Sequence, residues 1–177
     1  MKHSTLSDEQ LLAASASGDQ SAWDALIQRH GGRLYRFLGR MSGQAHADQL
    51  FLELWVEFFQ LRSRWTTGTK VSTALFAMAA RLASSREPDL GALNIAAHVQ
   101  PDAASLDARG ARLDAGIAAL PLAERSCLLL CFADAFSFDE AGLVLSLPAE
   151  QVKLLSANAY LSLSRALGPD FLEQGLA

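Results

Sequence analysis

Residues 136–167 hold the local pattern that most constrains the fold, because it predicts two helices joined by a tight turn. Ser137 and Glu140 have the spacing of a capping box, in which each side chain accepts a hydrogen bond from the other residue's backbone N–H. Pro148 suits the first turn of a second helix, where its missing N–H is not needed. The glycine–proline pair at Gly168 should end that second helix.

A short helix, a turn and a longer helix are the layout of a DNA-reading helix-turn-helix, whose second helix enters the major groove. Here the second helix carries an apolar stripe that should face a core: Val152, Leu155, Ala159 and Leu163. Lys153 is its only cation before Arg165, and Glu150 lies in its first turn. Because DNA readers normally bind several phosphates, the pattern predicts the fold of a DNA reader but leaves open whether this helix contacts DNA or protein.

Capping residues and apolar spacing predict further helices on both sides of this motif. In the first half they are a short helix after Ser7, a long one from Asp19 to Ser42-Gly43, one from about Ala45 to Leu61, and one capped by Ser72 that runs through Ser85. In the second half they are Arg109–Ala119 and Leu122–Ala133. No segment alternates in the way a strand does.

The segment between these two groups of helices predicts a linker. Residues 89–108 are rich in alanine and aspartate, contain Gly91 and Pro101, and have no clear period. We therefore expect an all-α fold of two small helical domains, residues 1–87 and 111–177, joined by a flexible linker over residues 88–110. The C-terminal domain holds the helix-turn-helix.

Composition excludes several classes of protein. Half of the 177 residues are apolar and 19% are charged, which indicates packed cores rather than disorder. No apolar run reaches the roughly 18 residues of a membrane helix, and the N-terminus lacks the apolar core of a signal peptide. We therefore expect a soluble, cytoplasmic protein with no membrane segment.

No pattern in the sequence predicts catalysis. The four histidines are scattered singly without metal-ligand spacing, and no glycine-rich phosphate loop precedes a helix. Cys127 and Cys131 share a helix face without the approach that a normal disulfide needs, so we expect two buried thiols. We predict no catalytic residues, no metal and no cofactor, and hence no enzyme.

Charge is divided unevenly along the chain. Residues 1–88 hold 10 Lys/Arg against 8 Asp/Glu, a net of +2, whereas residues 89–177 hold 5 against 11, a net of −6. The long second helix carries a stripe of four arginines: Arg29, Arg33, Arg36 and Arg40. Such a stripe is a solvated face, or it meets a polyanion or an acidic partner.

Two stretches of the sequence match one family in order. The first contains Asp8-Glu9-Gln10-Leu11-Leu12, Gly18-Asp19, Ala22-Trp23 and Leu26, followed by Tyr35, Leu38 and Gly43. The second contains Ala118-Ala119-Leu120-Pro121 with Arg125, then Phe136-Ser137-Phe138-Asp139-Glu140-Ala141, Leu147-Pro148 and Val152-Lys153. In this order they resemble the extracytoplasmic-function (ECF) type of bacterial RNA polymerase sigma factor, as a divergent member. The resemblance implies a non-catalytic protein of transcription initiation that binds core RNA polymerase and promoter DNA.

The resemblance also implies three sets of site residues by position. The surface that binds the polymerase clamp would be Asp48, Gln49, Leu50 and Glu53, with Leu52 where the family has a glutamine. The residues for the −10 promoter element would be Arg62, Arg64, Trp65, Lys70, Arg81 and Arg86, unless these are solvated residues at a domain edge. The second helix of the helix-turn-helix would meet the −35 element, or a partner protein, with Gln151, Lys153, Leu154, Asn158 and Tyr160.

Two functions follow from these patterns. The first is a sigma factor that binds polymerase and promoter DNA and is controlled by a regulatory protein such as an anti-sigma factor. The second is a degenerate sigma-like protein that binds an anti-sigma-like regulator or polymerase without reading DNA, as the apolar Leu154, Tyr160 and Leu161 suggest. In a variant of the second, phosphorylation of Thr66, Thr67 or Thr69 restores the missing acidity, because a phosphate adds up to about two negative charges.

Overall fold

The computed structural model describes residues 5–65, 68–85 and 105–168, with side chains from residue 109 onward in the last range, and the regular elements in these ranges are all helical. The helices are α1 (Asp8–Ala16), α2 (Gln20–Ser42), α3 (Gln44–Leu61), α4 (Val71–Ser84), α5 (Ser105–Ala118), α6 (Leu122–Leu128), α7 (Phe138–Leu145) and α8 (Ala149–Leu167). A 3₁₀ turn, Arg62–Arg64, follows α3, and a π-helical turn, Leu129–Ala133, continues α6. The predicted all-α fold is confirmed. Most of the predicted linker lies outside the described residues, and the division into two domains stays a prediction.

Local capping chemistry explains where the helices begin. Ser7 and Gln10 form a capping box, with Ser7 N–H donating to Gln10 Oε1 at 2.9 Å. Ser137 and Glu140 form a second, in which Ser137 N–H donates to Glu140 Oε2 at 3.1 Å. Asp19 Oδ1 caps α2 by accepting from the backbone N–H of Ser21 and Ala22. Each cap satisfies backbone donors that have no partner inside the helix, and these predicted starts are confirmed.

Other boundaries differ from the sequence-based predictions. Helix α4 begins at Val71 without a side-chain cap, so Ser72 lies inside it. Helix α5 begins at Ser105, inside the predicted linker, because alanine-rich sequence favours a helix without showing an apolar period. The predicted helix up to residue 133 widens into the π-helical turn, where Asp134 N–H donates to Leu129 O at 3.0 Å.

Helix α2 lies at the centre of the packing. Helices α1, α3 and α4 pack against it, while α6, α7 and α8 pack on one another and α5 packs on α8. The largest fully buried side chains include Phe37, Phe58 and Phe76, and one continuous cluster of buried residues joins the first four helices to the last four. In the described ranges, no helix is both long and apolar enough to cross a membrane.

The tight turn between α7 and α8 gives the helix-turn-helix its shape. Helix α7 ends at Ser146 in the left-handed conformation (φ 56°), and Leu147 N–H donates to Gly142 O at 3.0 Å. A Cβ at Gly142 would lie 2.6 Å from the carbonyl oxygen of Leu147. Only glycine lets the returning backbone pass this close to α7.

We predict that Gly142→Ala lowers the free energy of unfolding by about 1–3 kcal/mol, because the clash is with backbone that has little room to move. Gly110→Ala is the matched control, since a Cβ there meets nothing within 4 Å. The control should change stability by at most about 1 kcal/mol, in the stabilising direction. Urea denaturation followed by circular dichroism measures both, and equal stability of the two variants would contradict the role of Gly142.

Candidate polymerase, nucleic-acid and partner interfaces

The predicted polymerase-binding residues on α3 are divided between surface and core. Asp48 is exposed and accepts a hydrogen bond from Tyr35 Oη at 2.8 Å, which raises the pKa of Tyr35. Gln49 Nε2 donates to Glu53 Oε1 at 3.1 Å, one turn along the helix. Leu50 is fully buried, so it supports α3 from within and offers no surface to a partner.

The exposed apolar residues on this helix are ones that the resemblance did not single out. Leu52 is 66% exposed and Val56 is 57% exposed. Together with Leu82 from α4 they line a surface groove of about 460 Å³, hereafter the α3 groove, whose rim includes Glu53 and Glu57. From Gln44 to Leu61 the helix has three carboxylates and no lysine or arginine. The α3 groove is therefore apolar at its centre and acidic at its rim.

The predicted −10 residues lie at the end of α3 and around the start of α4. The Arg62 guanidinium stacks 3.3 Å from the centroid of the Phe59 ring, and half-buried Trp65 packs edge-to-face on Phe58 at 5.8 Å. Arg64 is exposed. The structure thus groups cations with aromatic rings at Arg62–Trp65, whereas Arg86, Thr66 and Thr67 lie outside the described residues.

Two other cations of this predicted set are engaged within the chain. Lys70 Nζ lies 2.6 Å from Glu140 Oε1, and Arg81 Nη2 lies 2.6 Å from Glu57 Oε1. The hydrogen bond from Lys70, helped by those from Ser137, lowers the pKa of Glu140 to about 2, and Glu140 in turn raises the pKa of Lys70. Both cations therefore face carboxylates in this conformation.

The arginine stripe on α2 meets acidic residues of the same chain. Arg29 and His30 Nε2 both bind Asp8, at 2.5 and 2.7 Å. Arg33 Nε lies 3.0 Å from Asp134 Oδ1, and Arg40 Nε lies 3.1 Å from Asp114 Oδ1. Of the sequence-based alternatives for the stripe, the structure shows an acidic partner, and that partner is the chain itself. The remaining arginine of the stripe, Arg36, is exposed.

The predicted −35 or partner-binding residues all lie on the exposed face of α8: Gln151, Lys153, Leu154, Asn158 and Tyr160. Leu154 is 65% exposed and Leu161 is 51% exposed. Phe132, from the π-helical turn, stacks on Tyr160 with 6.3 Å between ring centroids. Sequence periodicity missed Phe132, because the wider π turn rotates it out of the apolar stripe of α6. The outward face of α8 is mainly apolar, with Lys153 as its cation.

The two cysteines are free thiols. Cys127 is buried, and this burial raises its pKa to about 11, whereas Cys131 is half-buried. A thiol with a raised pKa is mostly protonated at neutral pH and is a poor nucleophile.

This arrangement of helices defines the class of protein that the chain resembles. In fold it matches the solved sigma factor RpoE of Bartonella quintana in complex with the anti-sigma factor NepR, with a TM-score of 0.69 over 84% of this chain and 98% of that one, at 16% identity. It also matches CnrH in complex with the cytosolic domain of CnrY, with a TM-score of 0.73 over 90% of this chain and 96% of that one, at 20% identity.

Sequence comparison points to the same class and to a particular relative. The chain is 29% identical over 153 residues to the ECF RNA polymerase sigma factor SigE of Mycolicibacterium smegmatis, covering 78% of this chain. It spans 60% of the length of SigE. No protein-family model matches the chain. The resemblance to ECF sigma factors that the sequence motifs indicated is confirmed.

The Lys70–Glu140 pair should affect stability in a pH-dependent way. Because the pKa of Glu140 is lower in the folded chain than its ordinary 4.5, the pair stabilises the fold above about pH 4.5 and loses this effect as the pH falls towards 2. We predict that Glu140→Gln costs less than about 1 kcal/mol at pH 7, since the pair is solvent-exposed, and that the difference from wild type vanishes near pH 2.

Urea denaturation across this pH range measures the effect, with Asp139→Asn as the control for removing one charge from the same helical turn. Glutamine keeps the capping box, so the helix start is preserved. A difference between Glu140→Gln and wild type that stays constant down to pH 2 would contradict the pairing.

Proposed function

We propose that this chain acts in transcription initiation as a sigma-like subunit that binds core RNA polymerase and promoter DNA under the control of a protein partner. The observation that carries the proposal is the coincidence of two likenesses: 29% identity to SigE over 78% of the chain, and a shared fold over 84% of the chain with RpoE. The role requires no catalytic chemistry, and it places the protein in the cytoplasm with the polymerase.

The α3 groove supports the proposed contact with the polymerase clamp. Its acidic rim complements a basic partner, and such complementarity supplies orientation and a fast on-rate. Leu52 and Val56 add exposed apolar area at the centre, where the binding energy of a protein interface concentrates. We therefore assign Asp48, Gln49 and Glu53 to the rim of this contact, Leu52 and Val56 to its centre, and Leu50 to its support.

The cations and aromatic rings around Arg62 and Trp65 support the proposed contact with the −10 element. Single-stranded DNA binds to surfaces that combine positive charge for phosphates with aromatic rings for bases. Arg62, Arg64 and Lys70 supply the charge, and Trp65 and Phe59 supply the rings. Arg81 and Arg86 extend the predicted set.

Control by a protein partner is inferred from the relatives of known structure. RpoE was solved with the anti-sigma factor NepR, and CnrH with the cytosolic domain of CnrY. We propose that an anti-sigma-like protein binds this chain in a comparable way. The exposed apolar side chains of α3 and α8 are the surfaces suited to it.

We predict that Leu52→Arg weakens co-purification with core RNA polymerase by about tenfold or more, because a buried, unpaired arginine at an interface costs more than the ~1.4 kcal/mol that tenfold represents. Leu143→Arg is the matched control, because Leu143 is 71% exposed on α7, outside the α3 groove. Equal retention of both variants would exclude the α3 groove as the clamp contact. Run-off transcription with a genomic promoter library then tests the function, and an absence of start sites would overturn it.

A second function is favoured by the outward face of α8. Leu154, Tyr160 and Leu161 are each about half exposed or more, whereas Lys153 is the one cation between Pro148 and Ser164. A face of this composition is typical of a protein contact and lacks the phosphate contacts of a DNA reader. The chain would then be a degenerate sigma-like protein that binds a regulator or polymerase without reading the promoter.

The salt dependence of promoter binding separates these functions. If α8 contacts the −35 element, Lys153→Gln should weaken the promoter complex of the polymerase holoenzyme and lower the slope of its salt dependence by about one. Arg165→Gln, near the end of the same helix, is the control. If α8 binds protein alone, the two variants and wild type should have the same slope.

A further inference from the structure

Helix α4, next to the predicted −10 loop, is almost entirely covered in this conformation. Between Val71 and Ala83, Arg81 is the only exposed residue, and it faces Glu57 of α3. Helices α2 and α3 cover one side of α4, and α7 packs across another. Phe76 of α4 is fully buried and packs edge-to-face on Phe136, with 5.0 Å between ring centroids. The residues that lead into the helix-turn-helix thus close over α4.

Three ion pairs hold this closed arrangement, and all have the same polarity. The cations Arg33, Arg40 and Lys70 belong to the first four helices or the loop between them, and their partners Asp134, Asp114 and Glu140 belong to the second half. This polarity follows the division of charge along the chain, +2 in residues 1–88 and −6 in residues 89–177. The acidic second half therefore neutralises the basic first half.

The pairs differ in how far water can screen them. Asp134 has a nearly buried side chain, and Arg33 also donates to its backbone carbonyl, so this contact anchors the interface. Lys70 and Glu140 are 66% and 32% exposed, and Arg40 and Asp114 are 34% and 58% exposed. Salt and competing anions act most strongly on such exposed pairs.

We propose that α7 and the acidic residues around it form an autoinhibitory cover over α4 and Lys70, so that the free chain is closed and its predicted −10 surface is masked. This inference rests on the proposed function, because it concerns the regulation of the same DNA-binding surface. A nucleic-acid phosphate competes with Glu140 for Lys70, and separation of the two sets of helices exposes α4. The acidic second half thus acts as an internal mimic of the DNA backbone.

The test removes two carboxylates of the cover and leaves every predicted DNA-binding residue intact. The double variant Asp114→Asn/Glu140→Gln breaks two pairs and keeps the capping box, since glutamine serves there as well. The charge-matched control is Asp139→Asn/Glu150→Gln, two exposed acidic residues for which no ion pair is present in the described part of the chain. Phe136→Ala removes the apolar contact with Phe76 in a separate variant. Circular dichroism confirms that each variant is folded.

Two readouts report the closed state without DNA. The first is the radius of gyration from small-angle scattering of the full chain, at low and high salt. The second is the rate of acetylation of Lys70 relative to that of exposed Lys153, by mass spectrometry. We expect Asp114→Asn/Glu140→Gln to expand the chain at low salt and to raise the Lys70 rate by up to about fivefold. Phe136→Ala should also expand the chain, whereas the control should behave as wild type.

A third readout, anisotropy of a labelled single-stranded oligonucleotide, tests inhibition itself. Tighter binding by the expanded variants than by the control supports the proposal. If the double variant is as compact as the control and Lys70 reacts at the same rate, the cover is refuted. If the variants expand but bind DNA no better than wild type while wild type does bind, autoinhibition is refuted. If no variant binds DNA yet the expansion occurs, the −10 contact of the proposed function fails and the inhibitory role with it, while the closed conformation stands.

Discussion

The rest of the structure depends on α2, because this one helix holds two sets of partners together. Its apolar face, with Leu26, Leu34 and Phe37, is buried against α1, α3 and α4. Its arginine face reaches Asp134 and Asp114 in the second half of the chain. Arginine suits this position, because its stem covers apolar surface while its planar head binds a carboxylate.

Arg33 shows how the two sets of contacts are coupled. Its guanidinium lies 5.4 Å from the centroid of the Phe76 ring and also binds Asp134. Phe76 in turn packs on Phe136, two residues after Asp134. One cation thus bridges the core of the first four helices and the segment that enters α7. Burial raises the pKa of Asp134, and Arg33 opposes that shift, so the carboxylate depends on this arginine to remain charged in the interface.

Sequence predicted the helices well where their signals are local. The capping boxes at Ser7 and Ser137 fix helix starts because donor and acceptor lie three residues apart. The π-helical turn at Leu129–Ala133 escaped prediction, since it changes the hydrogen-bond partner without changing the residue types. On α3, apolar residues occupy nearly every face, from Leu50 to Val56, so spacing alone did not show that Leu50 points inward and Leu52 outward.

For the candidate sites, sequence supplied the residue types but not their partners. Lys70 and Glu140 are 70 positions apart, and their pairing follows from the packing of α7 on α4. The same holds for Arg33 and Asp134, 101 positions apart. A charge that looks free in the sequence is therefore neutralised in the folded chain, which changes what a basic stripe implies.

The helix-turn-helix shows why shape and ligand diverge. Its shape is set by interior features, namely Gly142, the left-handed Ser146 and buried Val152, which remain whatever the outer face binds. Its outer face has one cation, too few to hold DNA alone. In a complex with polymerase, however, α8 would be held near the promoter by the other contacts, and this effective concentration replaces intrinsic affinity. A weakly charged α8 is thus compatible with promoter contact in the holoenzyme and incompatible with it in the isolated chain.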